Sequence, residues 1–119
     1  MNLWKVLGLV LLLLSLPAMA SVNAMGIHDV SHLRLDQPTR IGSVVLPAGD
    51  YTIRHSMEGQ DHVMTFQHAT RKTVFKIKCT LVPLGHKATQ DQSSFELKSD
   101  NERILHELVF RGETAKHVF

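Results

Sequence analysis

The chain has 119 residues, 13 Lys and Arg against 11 Asp and Glu, and a single cysteine. These values suit one small domain and exclude an intramolecular disulfide framework. With no long run of either charge, neither nucleic acid nor an anionic membrane surface is an expected partner. No G-x-S-x-G elbow, Gly-rich phosphate loop or H-E-x-x-H helix motif is present, so catalysis is not expected either.

Met1 to Ala24 reads as a cleavable export signal. Lys5 supplies a basic start, Val6 to Leu14 an apolar run, and Ala18-Met19-Ala20 an A-x-A cleavage site. A second small-residue site, Val22-Asn23-Ala24, places an alternative cut after residue 24. The apolar run is shorter than the roughly 18 to 20 residues that span a bilayer. The expected organisation is therefore a signal peptide over residues 1–20, a short mobile arm over 21–29 and one domain over 30–119. With no stable membrane anchor after cleavage, the product is expected to be periplasmic or secreted.

From Val30 onward, period-two alternation with turn signals every ten or so residues predicts an all-β domain. A single antiparallel β-sandwich, Ig-like or related, of about seven or eight strands fits it. The predicted strands are Ser31 to Asp36, Arg40 to Leu46, Asp50 to Met57, His62 to His68, Thr73 to Val82, Phe95 to Lys98, Arg103 to Phe110 and Lys116 to Phe119. Gly85 to Gln92 reads as an exposed loop. Within 102–110, Ile104, Leu105, Leu108 and Val109 also fit a helical stripe, and Ser99 to Glu102 resembles a capping box; a strand is preferred there over a helix.

Pro47-Ala48-Gly49 predicts a tight turn, with proline pre-setting φ and glycine taking a conformation closed to other residues. Leu46, Gly49 and Tyr51 are expected to be turn and core residues. The run Leu46-Pro47-Ala48-Gly49-Asp50-Tyr51 resembles an L-P-A-G-x-Y hairpin signature of small exported bacterial proteins of unassigned function. That resemblance implies a β-sandwich and an exported location, and brings no catalytic motif.

Glu58-Gly59-Gln60-Asp61 predicts a two-residue hairpin loop with Gly59 at the first central position of a type II′ turn. The turn sets a register in which Met57 meets His62, His55 meets Met64, Ile53 meets Phe66 and Tyr51 meets His68, all on one face. Thr52, Arg54, Ser56, Thr65 and Gln67 fall on the opposite, wet face. Two imidazoles and two thioethers at this spacing form a candidate copper ligand set of His55, Met57, His62 and Met64, because thioethers favour Cu(I) and imidazole suits either oxidation state. The motifs His55-Ser56-Met57 and His62-Val63-Met64 resemble those of periplasmic copper-handling proteins. The competing reading is core filling by methionine and partly buried histidine. If Ala69 to Lys72 forms a loop, Phe75 faces Phe66 and Cys79 falls opposite His62. Cys79 then reads as a buried, inert thiol.

His28, His32, His86, His106 and His117 are scattered along the chain, and only folding could gather them. Lys76 and Lys78, with Arg71 and Lys72 nearby, read as a solvated face. The expected function is a non-catalytic binding or structural module of the bacterial cell envelope, with a protein or small molecule as its unidentified partner. The alternative is a periplasmic copper-binding or copper-chaperone protein.

Overall fold

The computed structural model describes residues 26–98 and 101–119. The expected export signal, residues 1–20, lies outside them. Among the described residues there are nine strands and no helix: β1 (Val30–Leu35), β2 (Thr39–Ile41), β3 (Val44–Leu46), β4 (Gly49–Glu58), β5 (Asp61–His68), β6 (Val74–Pro83), β7 (Gln92–Leu97), β8 (Arg103–Val109) and β9 (Ala115–Val118). They join in the order β1-β4-β5-β6-β9-β8-β2-β3, with β7 on the other edge of β8. Every pairing is antiparallel except β2 with β8.

The β4–β5 hairpin has the register expected from its turn, pairing Met57 with His62, His55 with Met64, Ile53 with Phe66 and Tyr51 with His68. Gly59 has φ +63° while Gln60 is not in the positive-φ region, which is the type II′ pattern. β5 and β6 continue the same row, pairing Phe66 with Phe75 and His62 with Cys79. Side chains alternate, so one face of these three strands carries the histidines, the cysteine and much of the core. Arg54 and Ser56 point to solvent on the other.

One expected strand is divided, β7 begins at Gln92 rather than Phe95, and β8, a strand as expected, breaks strict alternation. Arg40 to Leu46 is not one strand but the hairpin β2–β3, because Gly42 at φ +60° reverses the chain and pairs Ile41 with Val44. This division brings the count to nine. In β8 the helical spacing of Leu105 and Leu108 has another cause. Ser94 pairs with Glu107 and Phe95 with Leu105, so His106 is an extra residue in the ladder. A β-bulge of this kind re-phases the alternation, and both leucines are buried although three residues apart.

Leu35, Ile41, Leu46, Tyr51, Ile53, Met64, Phe66, Ile77, Leu105, Leu108 and Phe110 form one buried apolar cluster. The Tyr51 hydroxyl donates to the Pro47 carbonyl at 2.6 Å, tying the Pro47-Ala48-Gly49 turn to the core. Outside, Lys76 pairs with Glu58 and Lys78 with Asp61. The lysine stripe is thus a solvated, locally neutralised face, and such pairs contribute only about 0–1 kcal/mol each.

Candidate metal centre

At the hairpin-tip end of the buried face, three imidazoles converge. His55 comes from β4, His62 from β5 and His117 from β9, and each offers a ring nitrogen within 4.8 Å of the others. The ring centroids form a nearly equilateral triangle, 5.3 Å for His55–His62, 5.1 Å for His55–His117 and 5.2 Å for His62–His117. Metal–nitrogen bonds of about 2.0–2.1 Å put each centroid about 3.2 Å from an ion, and tetrahedral angles then separate the centroids by about 5.2 Å. The observed triangle has that size. Between the donor atoms themselves, His55 Nδ1 and His62 Nε2 are 3.0 Å apart and share a proton in a hydrogen bond. An ion requires about 3.3 Å there, a separation of a few tenths of an ångström.

The surrounding groups set the ring orientations. Glu113 is completely buried, and its Oε1 accepts a 2.8 Å hydrogen bond from His117 Nε2–H. A carboxylate is acceptor-only, so His117 donates through Nε2–H and turns Nδ1 away from Glu113. Histidine ligands of metal ions commonly donate their other nitrogen to a carboxylate in this way. His55 Nε2 is bound to the Ser31 hydroxyl at 2.9 Å, which leaves Nδ1 facing His62. Phe110 stands edge-on to both His55 and His117, at 5.7 and 5.3 Å between centroids, and closes the inner wall.

Glu113 is held from several directions. Its Oε2 accepts from the His28 backbone amide at 2.9 Å, its own amide donates to the Phe110 carbonyl, and its carbonyl accepts from Ala88. Ala88 is buried and also accepts from the Gly112 amide, so the Gly85 to Gln92 stretch, otherwise exposed, is anchored at this point. His28 Nε2–H donates to the Arg111 carbonyl at 2.9 Å, and Asp29 accepts from the His55 amide. The described end of the N-terminal arm is therefore fastened across the cluster. Beside it lies a cavity of about 100 Å³ whose lining includes His28, His55, Met57, His62 and Leu81. That is well under the ~300–1,000 Å³ of pockets for drug-sized molecules.

Protonation follows from burial. Removal from water pushes His55 down to about 4, reinforced by His117 and His62 and opposed by Glu113. Burial lowers His62 as well, again with His117 adding to the effect. For Glu113, burial acts to raise the carboxyl, but the His117 and His28 hydrogen bonds and the nearby imidazoles outweigh it and hold it below its ordinary value. Because His55 resists protonation only when folded, its stabilising contribution is complete above the ordinary value of 6.5 and is lost as pH falls towards 4. Chelator-treated protein is expected to lose about 2 kcal/mol across this window through His55. This is less than full linkage because the ring keeps some access to water. Urea midpoints at pH 7.5 and 4.5 measure it, and the loss should shrink in His55→Gln. Glu113 adds its own loss only below its ordinary value of 4.5.

Of the four residues expected to bind copper, His55 and His62 stand together in the cluster. Met57 is 42% exposed and lines the cavity beside them. Met64 is fully buried in the apolar cluster, where it packs with the core. His117, Glu113 and Ser31 complete the arrangement. No local signal marks them, since His117 and His55 lie on strands separated by β5 and β6. Cys79 is half-buried, and its Sγ lies 3.6 Å from His117 Nδ1. Glu113, His117 and Cys79 thus have the connectivity of a thiol triad. Burial and the Glu113 charge, however, push the thiol up to about 12, the reverse of what an activated nucleophile needs.

Fold and site together define an all-β protein with a three-histidine cluster, two of its rings buried, buttressed by a carboxylate. The chain matches no family model, no curated protein and no solved structure.

Proposed function

We propose that the protein is an exported, non-catalytic metal-binding module of the bacterial cell envelope, with a copper ion held by His55, His62 and His117. The observation that carries this reading is the convergence of three imidazole donor atoms within 4.8 Å of one another, with a buried carboxylate on the outer nitrogen of one ring. Imidazole nitrogens suit copper, zinc and nickel, and Cu(II) binds most strongly at such sites in the divalent series. Met57, the exposed thioether at the cavity, adds a soft donor suited to Cu(I) and favours copper. Export is supported by the signal-like N-terminus and by the L-P-A-G-x-Y resemblance to small exported bacterial proteins. A β-sandwich is supported by β6, whose residues 74–79 pair with β5 and whose residues 80–83 pair with β9. Core residues from both halves meet in one cluster.

The test is a calorimetric titration with Cu(II), Cu(I) and Zn(II) of protein purified from an exporting host, with the N-terminus read by mass spectrometry. One ion per chain is expected, with copper preferred. His62→Ala and His117→Ala should each weaken binding by more than the ~10–100-fold typical of losing an outer-shell partner. Binding indifferent to both substitutions would return the three imidazoles to a packing role.

A further inference from the structure

Residues 26–29 lead into β1 without joining a strand. Three hydrogen bonds hold them across the histidine cluster instead. The His28 amide donates to Glu113 Oε2 at 2.9 Å, the His28 ring to the Arg111 carbonyl at 2.9 Å, and the His55 amide to the Asp29 carbonyl at 3.0 Å. Ile27 is partly buried and the other three residues are exposed, so the segment has little apolar anchorage. Segments of that kind open at much lower free energy than the body of a fold. We propose that residues 26–29 are a strap over the metal centre, whose docking and metal binding reinforce each other through Glu113.

This deepens, and rests on, the three-histidine reading. Two separate features support it. The first is the cavity beside the cluster. Ile27, His28 and Asp29 line it together with His55, Met57 and His62, so undocking the strap removes a wall from the space in front of two of the three rings. His117 is fully buried and Phe110 closes the inner side, which leaves the cavity as the side from which an ion can approach. The second is that one carboxylate serves both partners. Glu113 Oε1 holds the His117 ring, and Oε2 holds the strap. His28 is not among the gathered donors and its Nε2 is occupied at Arg111, so it acts as a positioning residue and not as a ligand. With both oxygens engaged the carboxylate is fixed, and so is the ring it orients. An ion on that ring polarises Nε2–H and strengthens the bond to the same carboxylate. Such coupling is reciprocal: metal holds the strap down by the factor by which the strap raises metal affinity.

The His28 amide reports docking directly, and Zn(II) is the probe because it is diamagnetic and has no redox chemistry. Hydrogen exchange at this amide, followed by NMR, is expected to slow by about tenfold or more when one equivalent of Zn(II) is added. His28→Ala removes the ring contact and keeps the amide, whereas His28→Pro removes the amide itself. Both should release Zn(II) to an excess of chelator about tenfold or more faster than the unaltered protein. His28→Ala alters only an exposed side chain, so it carries the kinetic test even if the proline variant does not fold. Zn(II) bound at one per chain with exchange of the His28 amide unchanged, or released equally fast by His28→Ala and the unaltered protein, would overturn the strap and leave the three-histidine centre standing. Failure of the unaltered protein to bind either Zn(II) or copper would overturn both.

Discussion

Truncating His117 to alanine is expected to destabilise the metal-free protein by about 3–5 kcal/mol, because it strands an ionised carboxylate in the interior. Glu113 and His117 are both completely buried, and the imidazole Nε2–H is the side-chain donor to Oε1. The His28 amide on Oε2 would remain, but one backbone hydrogen bond does not replace the lost donor at the other oxygen. The missing ring also leaves a void against Phe110, His55 and His62. Urea unfolding followed by circular dichroism measures the loss. Glu113→Gln in the same chain removes the charge, so the double variant is expected to be more stable than His117→Ala alone, a non-additivity diagnostic of the pair. A loss below about 1 kcal/mol would show that Glu113 takes up a proton or reaches water when its partner is removed.

Gly49→Ala is expected to cost a comparable amount, about 3–5 kcal/mol, and for a different reason. Gly49 sits at φ +147°, and a Cβ there would lie 2.2 Å from His68 Nε2. The ring cannot simply swing aside. Its Nε2–H donates to the Ala48 carbonyl at 3.1 Å, and its Nδ1 accepts from the amides of Thr70 and Arg71 at 3.1 and 3.2 Å. Displacing it would unfasten both the Pro47-Ala48-Gly49 turn and the loop after β5, next to Tyr51 and the core. Gly59 is the control. It has φ +63°, but nothing lies within 4 Å of its added Cβ, so Gly59→Ala should cost only about 1 kcal/mol of backbone strain. Thermal or urea unfolding of the two variants separates them. Equal losses would mean that the His68 contact does not constrain the turn.

The two glycines also mark how far local chemistry reaches. Gly59 and the alternation on either side of it are enough to set the β4–β5 register, and hence to put His55, Met57, His62 and Met64 on one face. The pairing of Cys79 with His62 follows from the same alternation carried across one more turn. Even the β2–β3 hairpin is marked in the sequence, by Gly42-Ser43 between two short β-branched runs, a pattern obscured when 40–46 is taken as continuous. A turn and a period of two are properties of neighbouring residues, so they survive in a linear reading.

The partner of the hairpin histidines does not. His117 reaches them because β9 inserts between β6 and β8, a placement decided by the parallel β2–β8 pair, the β8 bulge at His106 and the docking of Ala88 against the 112–113 turn. Each of these joins residues far apart in the chain, and none is favoured by local propensity alone. Glu113 is a further case. No local signal in the sequence marks its carboxylate, yet it is buried against His28 and His117 and orients the His117 ring. By itself the sequence determined an all-β chain, its central hairpins and two histidines of the cluster, since alternation and turn stereochemistry act over a few residues. Only the tertiary structure decided the third imidazole, its carboxylate and the setting of the thiol, since long-range strand order and burial depend on every element at once.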